Sequence, residues 1–335
     1  MEKKMSDIHL LIGGAGFIGH TLMKKLTDHN HRIICVDDNT SGNFEGSVLI
    51  FGNQSNVDFF LGDINKEETL NWIKDKCNNQ NVIIWHLAAN SDIKSGSGDP
   101  NLDANKTFLT SVTVCNLVDA LSIKSINFAS TSAVYGELQD DKIFTENSPC
   151  QPISYYGIAK YSSEKFLEIK ARSNGIPLLI FRFANIVGQP ATHGILYDFI
   201  NRIKLTPNIL NVLGNGQQRK SYLHVENLVA MMVALWSESN QGIFNLGPGD
   251  EGISVREIAN SLAIHLQNPI AISYGTNARG WDGDAIKVLM SSDKLDSACS
   301  VPKKSSAEAI HQAIHDISQQ LGLDIICPDS LNRIG

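Results

Sequence analysis

Short apolar runs rich in β-branched residues alternate with helix-like segments along the first half of the chain. The runs predict six strands, at 9–13, 32–37, 57–63, 82–88, 125–130 and 178–183. Between the first two runs, apolar residues recur every four positions at Ile18, Leu22 and Leu26, which is the spacing of one helix face. Further helices are predicted at 66–76, roughly 103–121 and 155–173. This alternation favours an α/β fold with a doubly wound parallel sheet that helices cover on both faces.

The regular alternation of strands and helices ends at about residue 186, after which short elements are mixed with glycine-rich turns. We therefore expect a first domain at 1–185 and a smaller mixed region at 186–335 that closes over the sheet. A stretch at about 220–246 is expected to return to the first domain, so this boundary is a simplification.

Composition narrows the classes of function. The net charge of -7 and the lack of a long basic run give little support to nucleic-acid binding. The six cysteines are scattered, with no CxxC pair and no Cys/His cluster, so neither a disulfide framework nor a metal site is expected. Because no apolar stretch approaches the length of a membrane span, we expect a cytoplasmic protein without a membrane partner.

The first strand runs into GGAGFIG, which places glycines at Gly13, Gly16 and Gly19 where the first helix opens. Such a turn lets backbone N–H groups and the helix N-terminus meet a pyrophosphate. The second strand ends in Asp37, at the distance where an acid bonds the ribose hydroxyls of adenosine. A carboxylate there would repel a 2′-phosphate, so the pattern predicts NAD rather than NADP as cofactor. The alternative is a tight strand–helix turn without a ligand.

Two further strand ends agree with a dinucleotide site. The sequence GDI at 62–64 closes the third strand, where the adenine would lie. HLAA at 86–89 closes the fourth strand with small residues, where the backbone must approach the dinucleotide. Either could be a simple strand exit, but together they place a cofactor along the carboxyl edge of the sheet.

The sequence SYYGIAK at 154–160 predicts acid–base chemistry. Residues four apart share one helix face, so Tyr156 is a neighbour of Lys160 and Tyr155 is not. A nearby ammonium group and an oxidised nicotinamide would both lower the pKa of a tyrosine toward the working range of a base. The alternative is an exposed polar helix face.

A hydroxyl-rich strand end, ASTSAVYG, precedes this helix. Thr131 lies just past the fifth strand, where its hydroxyl could bond the substrate oxygen that Tyr156 deprotonates. Ser130 and Ser132 are competing candidates, and a polar turn without function is the alternative.

Taken in order, GGAGFIG, VDDN, GDI, HLAA, STSAVYG, YxxxK and RFANIVG resemble an extended short-chain dehydrogenase/reductase. The chain is similar to the NAD-dependent nucleotide-sugar epimerase/dehydratase group, and within it to the UDP-glucose 4-epimerases, from about residue 13 to 295. The resemblance implies a Rossmann-type sheet for NAD and a C-terminal region that binds a nucleotide sugar. It also implies Tyr156 as catalytic base and acid, Lys160 as its electrostatic partner, and Thr131 rather than the adjacent serines.

The resemblance also implies binding residues. Around the cofactor they are Gly13, Gly16, Phe17, Ile18, Gly19, Asp37, Asn39, Asp63, Ile64, Leu87, Ala88, Ala89, Tyr156, Lys160 and Phe183. On the substrate side they are Thr131, Asn185, Lys220, Arg279 and Asp282, with Arg219 competing for the place of Lys220 and Asp284 for that of Asp282. Arginine and lysine suit a diphosphate through charge and donor geometry.

Departures from the family pattern affect the reaction. Dehydratases of the group carry Asp-Glu after the catalytic Thr, and decarboxylating relatives carry a Glu before VYG, whereas this chain has Ser132 and Ala133. The family's Asn near the start of its fourth long helix is also not evident, and Thr110 stands in about that place. We therefore expect C4 inversion of a UDP-hexose through a 4-keto intermediate. The alternatives are a dehydratase or reductase of the family, or a non-catalytic NAD-binding relative.

The resemblance implies a homodimer, in which helices 103–121 and 155–173 would form a four-helix seam. These apolar faces could instead belong to the core. The sequence does not specify the sugar. Val288 resembles a position where relatives carry a larger or smaller gatekeeper, and its small side chain would leave room for a 2-acetamido group.

Overall fold

The computed structural model describes residues 7–137, 143–281 and 283–326, apart from the side chain of Lys94. The chain forms two compact units. The first takes the described residues up to Val134, together with Pro152–Arg182 and Met231–Phe244. The second takes Tyr135–Gln151, Phe183–Ala230 and the residues from Asn245 onward.

A seven-stranded sheet forms the centre of the first unit. Its strands in chain order are β1 (Asp7–Ile12), β2 (Arg32–Asp37), β3 (Val57–Leu61), β4 (Asn81–His86), β5 (Ser122–Thr131), β6 (Leu178–Phe183) and, after four further strands of the second unit, β11 (Gly242–Leu246). Their spatial order is β11-β6-β5-β4-β1-β2-β3, and the pairs that β1 makes with β2 and β4 are parallel. The order reverses at β1, and a reversal of this kind is where parallel sheets bind ligands at their carboxyl edge.

Helices connect these strands, and their inner faces join the sheet in a core built around Leu10, Ile34, Ile84 and Ile126. They are α1 (Phe17–Asp28), α2 (Phe44–Phe51), α3 (Glu67–Lys76), α4 (Ile93–Gly98), α5 (Pro100–Asp103), α6 (Leu109–Ala120) and α7 (Tyr155–Asn174). The helix predicted at 103–121 is interrupted, because a π-helical turn at Ala104–Phe108 separates α5 from α6. A single 3-10 turn, Ser132–Val134, follows β5.

The second unit is built from short strands and three amphipathic helices. The strands are β7 (Asn185–Val187), β8 (Ile209–Val212), β9 (Arg219–Lys220), β10 (Tyr222–His224), β12 (Ile253–Ser254), β13 (Ala271–Tyr274) and β14 (Lys287–Val288). The helices α8 (Ile195–Leu205), α10 (Val255–His265) and α12 (Ser306–Leu321) enclose a separate apolar core. Helix α9 (Val225–Ser237) and the short α11 (Asp293–Ala298) complete the described elements.

The predicted fold class is confirmed, since a parallel Rossmann-type sheet is followed by a smaller mixed region with its own small sheets. All six predicted strands are present. None of the helices in the described part of the chain has both the length and the apolar composition that a membrane crossing requires. Within the same residues, no group of His, Cys, Asp and Glu side chains is arranged to hold a metal ion.

Candidate active site

The glycine turn between β1 and α1 has no room for side chains. Gly13 has φ of +81°, and a Cβ there would lie 2.6 Å from the backbone nitrogen of Ala88. A Cβ on Gly19 would lie 2.6 Å from the carbonyl oxygen of Gly13. Gly16 is the N-cap of α1 and contributes no capping side chain. The first N–H groups of α1 therefore face a turn with minimal side-chain bulk, which fits a pyrophosphate.

Asp37 ends β2 beside this turn and is buried. Its carboxylate accepts hydrogen bonds from the backbone N–H groups of Ala15, at 3.0 Å, and Asn39, at 2.8 Å. Burial raises the pKa of Asp37, while these two hydrogen bonds act in the opposite direction. Each carboxylate oxygen keeps acceptor capacity for a ribose hydroxyl, whereas a phosphate there would meet a like charge.

The end of β3 contains a contact that the sequence did not predict. Lys106, in the π-helical turn, bonds Asp38 at 2.6 Å and Asp63 at 3.3 Å. Asp63 also accepts from the backbone N–H of Asn65, and the neighbouring Ile64 is buried. Lys106 thus ties the loop after β2 to the loop after β3, and these are the loops that hold the candidate adenosine ligands Asn39 and Asp63.

The remaining cofactor candidates lie at other strand ends of the sheet. Leu87 and Ala88 follow β4, and both donate their backbone N–H to the carbonyl oxygen of Ile12 at 2.8 Å. Ala89 is half-buried next to them, and Phe183 is buried at the end of β6. Phe17 and Ile18 are half-buried in the first turn of α1.

The start of α7 distinguishes the two adjacent tyrosines. Ser154 caps the helix by accepting a hydrogen bond from the backbone N–H of Gly157. Tyr155 is 48% exposed, whereas Tyr156 turns inward toward Lys160, whose Nζ lies 6.0 Å from the centre of the Tyr156 ring. Lys160 is buried and donates a hydrogen bond to the carbonyl oxygen of Ala129 at 2.6 Å.

The three hydroxyls at the end of β5 have different partners. Ser130 is buried and bonds Glu164 at 2.5 Å. Ser132 is buried in the 3-10 turn. Thr131 is half-buried, accepts a hydrogen bond from the backbone N–H of Ala133 at 3.1 Å, and lies near enough to Tyr156 to lower the pKa of its phenol. This geometry supports Thr131 as the hydroxyl that works with the tyrosine.

Burial perturbs the pKa of both groups on α7. It raises the pKa of the Tyr156 phenol well above its usual range, and the charge of Asp103 raises it further. The nearby Thr131 hydroxyl opposes this shift. Burial lowers the pKa of the Lys160 ammonium group to about 7, against the opposing effect of the Glu164 and Asp103 carboxylates. Strong perturbation by burial and a specific charge is typical of catalytic groups.

Asp103 is the second residue that the sequence analysis missed. It lies at the end of α5, is 1% exposed, and accepts a hydrogen bond from the Asn90 side chain at 3.0 Å. Nothing in its local sequence, PNLDANK, distinguishes it from a surface acid.

The substrate candidates in the second unit form a group of their own. Lys220 bonds Asp284 at 2.6 Å, and Arg279 donates to the carbonyl oxygen of Asp284 at 2.6 Å. Arg279 also pairs with Glu137 at 2.7 Å. The structure therefore brings Lys220 and Arg279 together around one buried acid, and both cations are already paired.

Two other substrate candidates, Asn185 and Arg219, have different surroundings. The Asn185 side chain donates to the carbonyl oxygen of Ser221 at 3.2 Å. Arg219, the competitor of Lys220, pairs with Glu257 at 2.6 Å. Asp282 lies outside the described residues.

Comparison with known proteins gives a consistent result. Residues 9–247 match the family model described as the NAD dependent epimerase/dehydratase family. UDP-glucose 4-epimerase of Corynebacterium glutamicum is 26% identical over 306 residues, covering 85% of this chain and 87% of that protein. UDP-N-acetyl-alpha-D-glucosaminuronate decarboxylase of Bacillus cytotoxicus is 28% identical over 270 residues, covering 76% and 78%. The crystal structure of UDP-glucose 4-epimerase from Thermotoga maritima superimposes with a TM-score of 0.79 at 26% identity, covering 94% of this chain and 99% of that one.

Proposed function

Because the chain belongs to the NAD-dependent epimerase/dehydratase family, we propose that it is a nucleotide-sugar epimerase that inverts C4 of a UDP-hexose through a 4-keto intermediate. The observation that carries this proposal is the grouping of Tyr156, Lys160 and Thr131 around the end of β5. The prediction of NAD as the cofactor is confirmed at the level of the family.

In this mechanism the Tyr156 oxygen takes the proton of the sugar O4. It returns the proton after the 4-keto sugar has rotated to present its other face. The Thr131 hydroxyl bonds O4 and holds it near the Tyr156 oxygen. The Lys160 ammonium group stabilises the phenolate, which burial alone disfavours. When bound, oxidised NAD supplies the acceptor for the C4 hydrogen and a positive charge that favours the phenolate.

The first unit is proposed to hold NAD along the carboxyl edge of its sheet. The glycine turn supports this, because a Cβ on Gly13 or Gly19 would fill it. Asp37 and Asn39 would hold the adenosine ribose, and Asp63 and Ile64 the adenine. The pyrophosphate and nicotinamide would be lined by Gly13, Gly16, Phe17, Ile18, Gly19, Leu87, Ala88, Ala89, Tyr156, Lys160 and Phe183.

The second unit is proposed to bind the nucleotide sugar. Lys220 and Arg279 would hold the diphosphate by exchanging their acid partners for phosphate oxygens, with Asn185 and Asp282 contacting other parts of the substrate. Because the diphosphate is held, the sugar can rotate without leaving the protein. Binding energy from a group far from C4 thus keeps C4 at the reacting groups.

The relatives of the chain include a decarboxylase as well as epimerases. The positions after Thr131 favour epimerisation, because Ser132 is a buried hydroxyl and Ala133 carries no acid. Elimination at C5–C6 needs a group that moves a second proton, and neither residue supplies one.

We also propose that the protein is a homodimer, with α6 and α7 at the interface. Ile158, Phe166 and Ile169 on α7 and Leu109 on α6 are apolar side chains that are more than two-fifths exposed. An apolar face of this kind on neighbouring helices is typical of an interface.

The direct test is to incubate the purified protein with UDP-glucose, UDP-N-acetylglucosamine or UDP-glucuronate, without added dinucleotide, and to follow the sugar by NMR. We expect a galacto-configured product from one of the three, because each turnover regenerates a bound cofactor. A 4-keto-deoxy sugar, a pentose product or activity only with added dinucleotide would contradict the proposal.

A further inference from the structure

Four buried charged residues lie on α5, α7 and β6 of the first unit, and two of them, Lys160 and Asp103, act on Tyr156. Lys160 and Glu164 lie one turn apart on α7, Arg182 is on β6, and Asp103 ends α5. Each is at most 2% exposed. Charges buried to this degree are costly unless each has an opposite charge or hydrogen bonds.

Two of these residues, Arg182 and Glu164, form an ion pair. Arg182 binds both carboxylate oxygens of Glu164, at 2.9 and 2.6 Å, and Ser130 donates to the same carboxylate. The charge of Glu164 is therefore balanced by Arg182. Lys160 donates only to a neutral carbonyl, that of Ala129, among the hydrogen bonds of the described residues. Its ammonium group thus needs a second carboxylate.

Asp103 is a candidate for that carboxylate, because α5 packs against α7 and the charge of Asp103 raises the pKa of Lys160. Its Oδ1 accepts from the Asn90 side chain, and its Oδ2 is buried without a hydrogen-bond partner in the described part of the chain. Helix α4 contributes Gly96 at this point, where a Cβ would lie 2.2 Å from Oδ2. Glycine at 96 therefore makes room for the free oxygen of Asp103.

We propose that Asp103 is a positioning residue that keeps Lys160 protonated as its counter-charge, so that Lys160 can stabilise the Tyr156 phenolate. The proposal rests on the proposed function, because it assigns Asp103 a role through the catalytic Lys160. With Asp103 ionised, the four buried charges sum to zero, and without it they leave one positive charge.

The neighbouring groups are consistent with this role. Lys160 faces Glu164 on its own helix, Tyr156 one turn earlier, His86 on β4 and the ring of Phe128 on β5, at 4.8 Å from Nζ. Burial holds the pKa of His86 well below its usual range, so this imidazole is neutral and supplies no counter-charge. Burial raises the pKa of Asp103, and the Asn90 side chain, the Thr107 hydroxyl and the charge of Lys160 oppose that shift.

The activity test compares the pH dependence of kcat in wild type and Asp103→Asn. Loss of the carboxylate lets Lys160 lose its proton at lower pH, so we expect the alkaline limb to move down by about one pH unit or more. The matched control is Asp119→Asn. It removes an exposed acid on α6 that pairs with Lys170 on α7, and it should leave the alkaline limb of the pH profile in place. An unchanged limb in Asp103→Asn, or one that moves to higher pH, overturns the proposal.

A second measurement does not depend on activity, and so separates this inference from the proposed function. Urea unfolding at pH 6.5 is compared for wild type, Asp103→Asn, Lys160→Met and the double variant. If the two side chains balance each other, Lys160→Met should lower the midpoint by at most about half as much when Asp103 is already Asn. Additive effects overturn the proposal.

A variant that fails to fold also gives a decisive result in this comparison of single and double variants. If Asp103→Asn fails to fold but the double variant folds, the rescue supports the charge balance. If neither folds, Asp103 serves packing rather than the charge of Lys160, and the proposal is wrong. A protein that is inactive on all UDP-sugars but shows this coupling would contradict the proposed function alone.

Discussion

At the scale of single residues, the two adjacent tyrosines provide a matched pair. Tyr156→Phe removes only the hydroxyl that exchanges the O4 proton and keeps the ring, so we expect kcat to fall roughly 10²- to 10⁴-fold. Tyr155 is 48% exposed, and Tyr155→Phe should leave kcat unchanged. Initial rates on the accepted UDP-sugar, with melting curves to show that both variants fold, make the comparison. Equal rates for Tyr156→Phe and wild type would remove Tyr156 from the mechanism.

Local spacing was enough to predict which of these residues face each other. Lys160 lies four positions after Tyr156, and the helix that this spacing requires is present. Asp103 and Lys106 escaped prediction because their partners are distant in sequence. Lys106 meets Asp63 across 43 positions and Asn90 meets Asp103 across 13, in a segment where a π-helical turn shifts the helix register. No sequence period indicates such a shift.

At the scale of elements, the packing of β1 gives stability a pH dependence. His9 on β1 is fully buried and accepts a hydrogen bond from the Trp85 indole on β4 at 3.0 Å. Burial lowers the pKa of His9 from 6.5 to about 3, so the folded protein keeps His9 neutral while the unfolded chain binds a proton below pH 6.5. Stability from this group is therefore complete above pH 6.5 and is lost as the pH falls toward 3.

The corresponding variant is His9→Gln, which keeps an acceptor for Trp85 but does not titrate. Between pH 7 and 5 the wild type should lose about 2 kcal/mol of unfolding free energy more than His9→Gln does. Urea unfolding at several pH values measures this difference, and the exposed His193→Gln should behave like wild type. Parallel pH profiles for His9→Gln and wild type would show that His9 is not held neutral.

The elements of the two units differ in how far the sequence determined them. Strands β1, β2 and β4 at the centre of the large sheet are buried on both faces, so each is a largely apolar run that the sequence makes visible. In the second unit, β9, β12 and β14 are two residues long and pair across up to 68 positions, as Lys287 does with Arg219. Runs that short have no period of their own, so their register follows only from the folded chain.

At the scale of the whole molecule, the exposed apolar side of α7 is the proposed dimer interface. Ile158 and Ile169 are 49% and 57% exposed, eleven positions apart and therefore on the same helix face. We expect light scattering after size exclusion to give the mass of a dimer for wild type. The double variant Ile158→Glu/Ile169→Glu should give the mass of a monomer, because two chains would bring four carboxylates into an apolar interface.

The control for assembly is Leu205→Glu, which places the same charge on a side chain that is 82% exposed on α8 and outside the proposed interface. It should remain a dimer. Both substitutions on α7 lie opposite Lys160, Glu164 and Leu167, which are buried on the inner face of the helix. The monomer should therefore keep the wild-type circular dichroism spectrum, so a change in mass without a change in spectrum assigns the effect to the interface. A wild-type protein that is already monomeric, or a double variant that stays dimeric, would exclude this face as the contact.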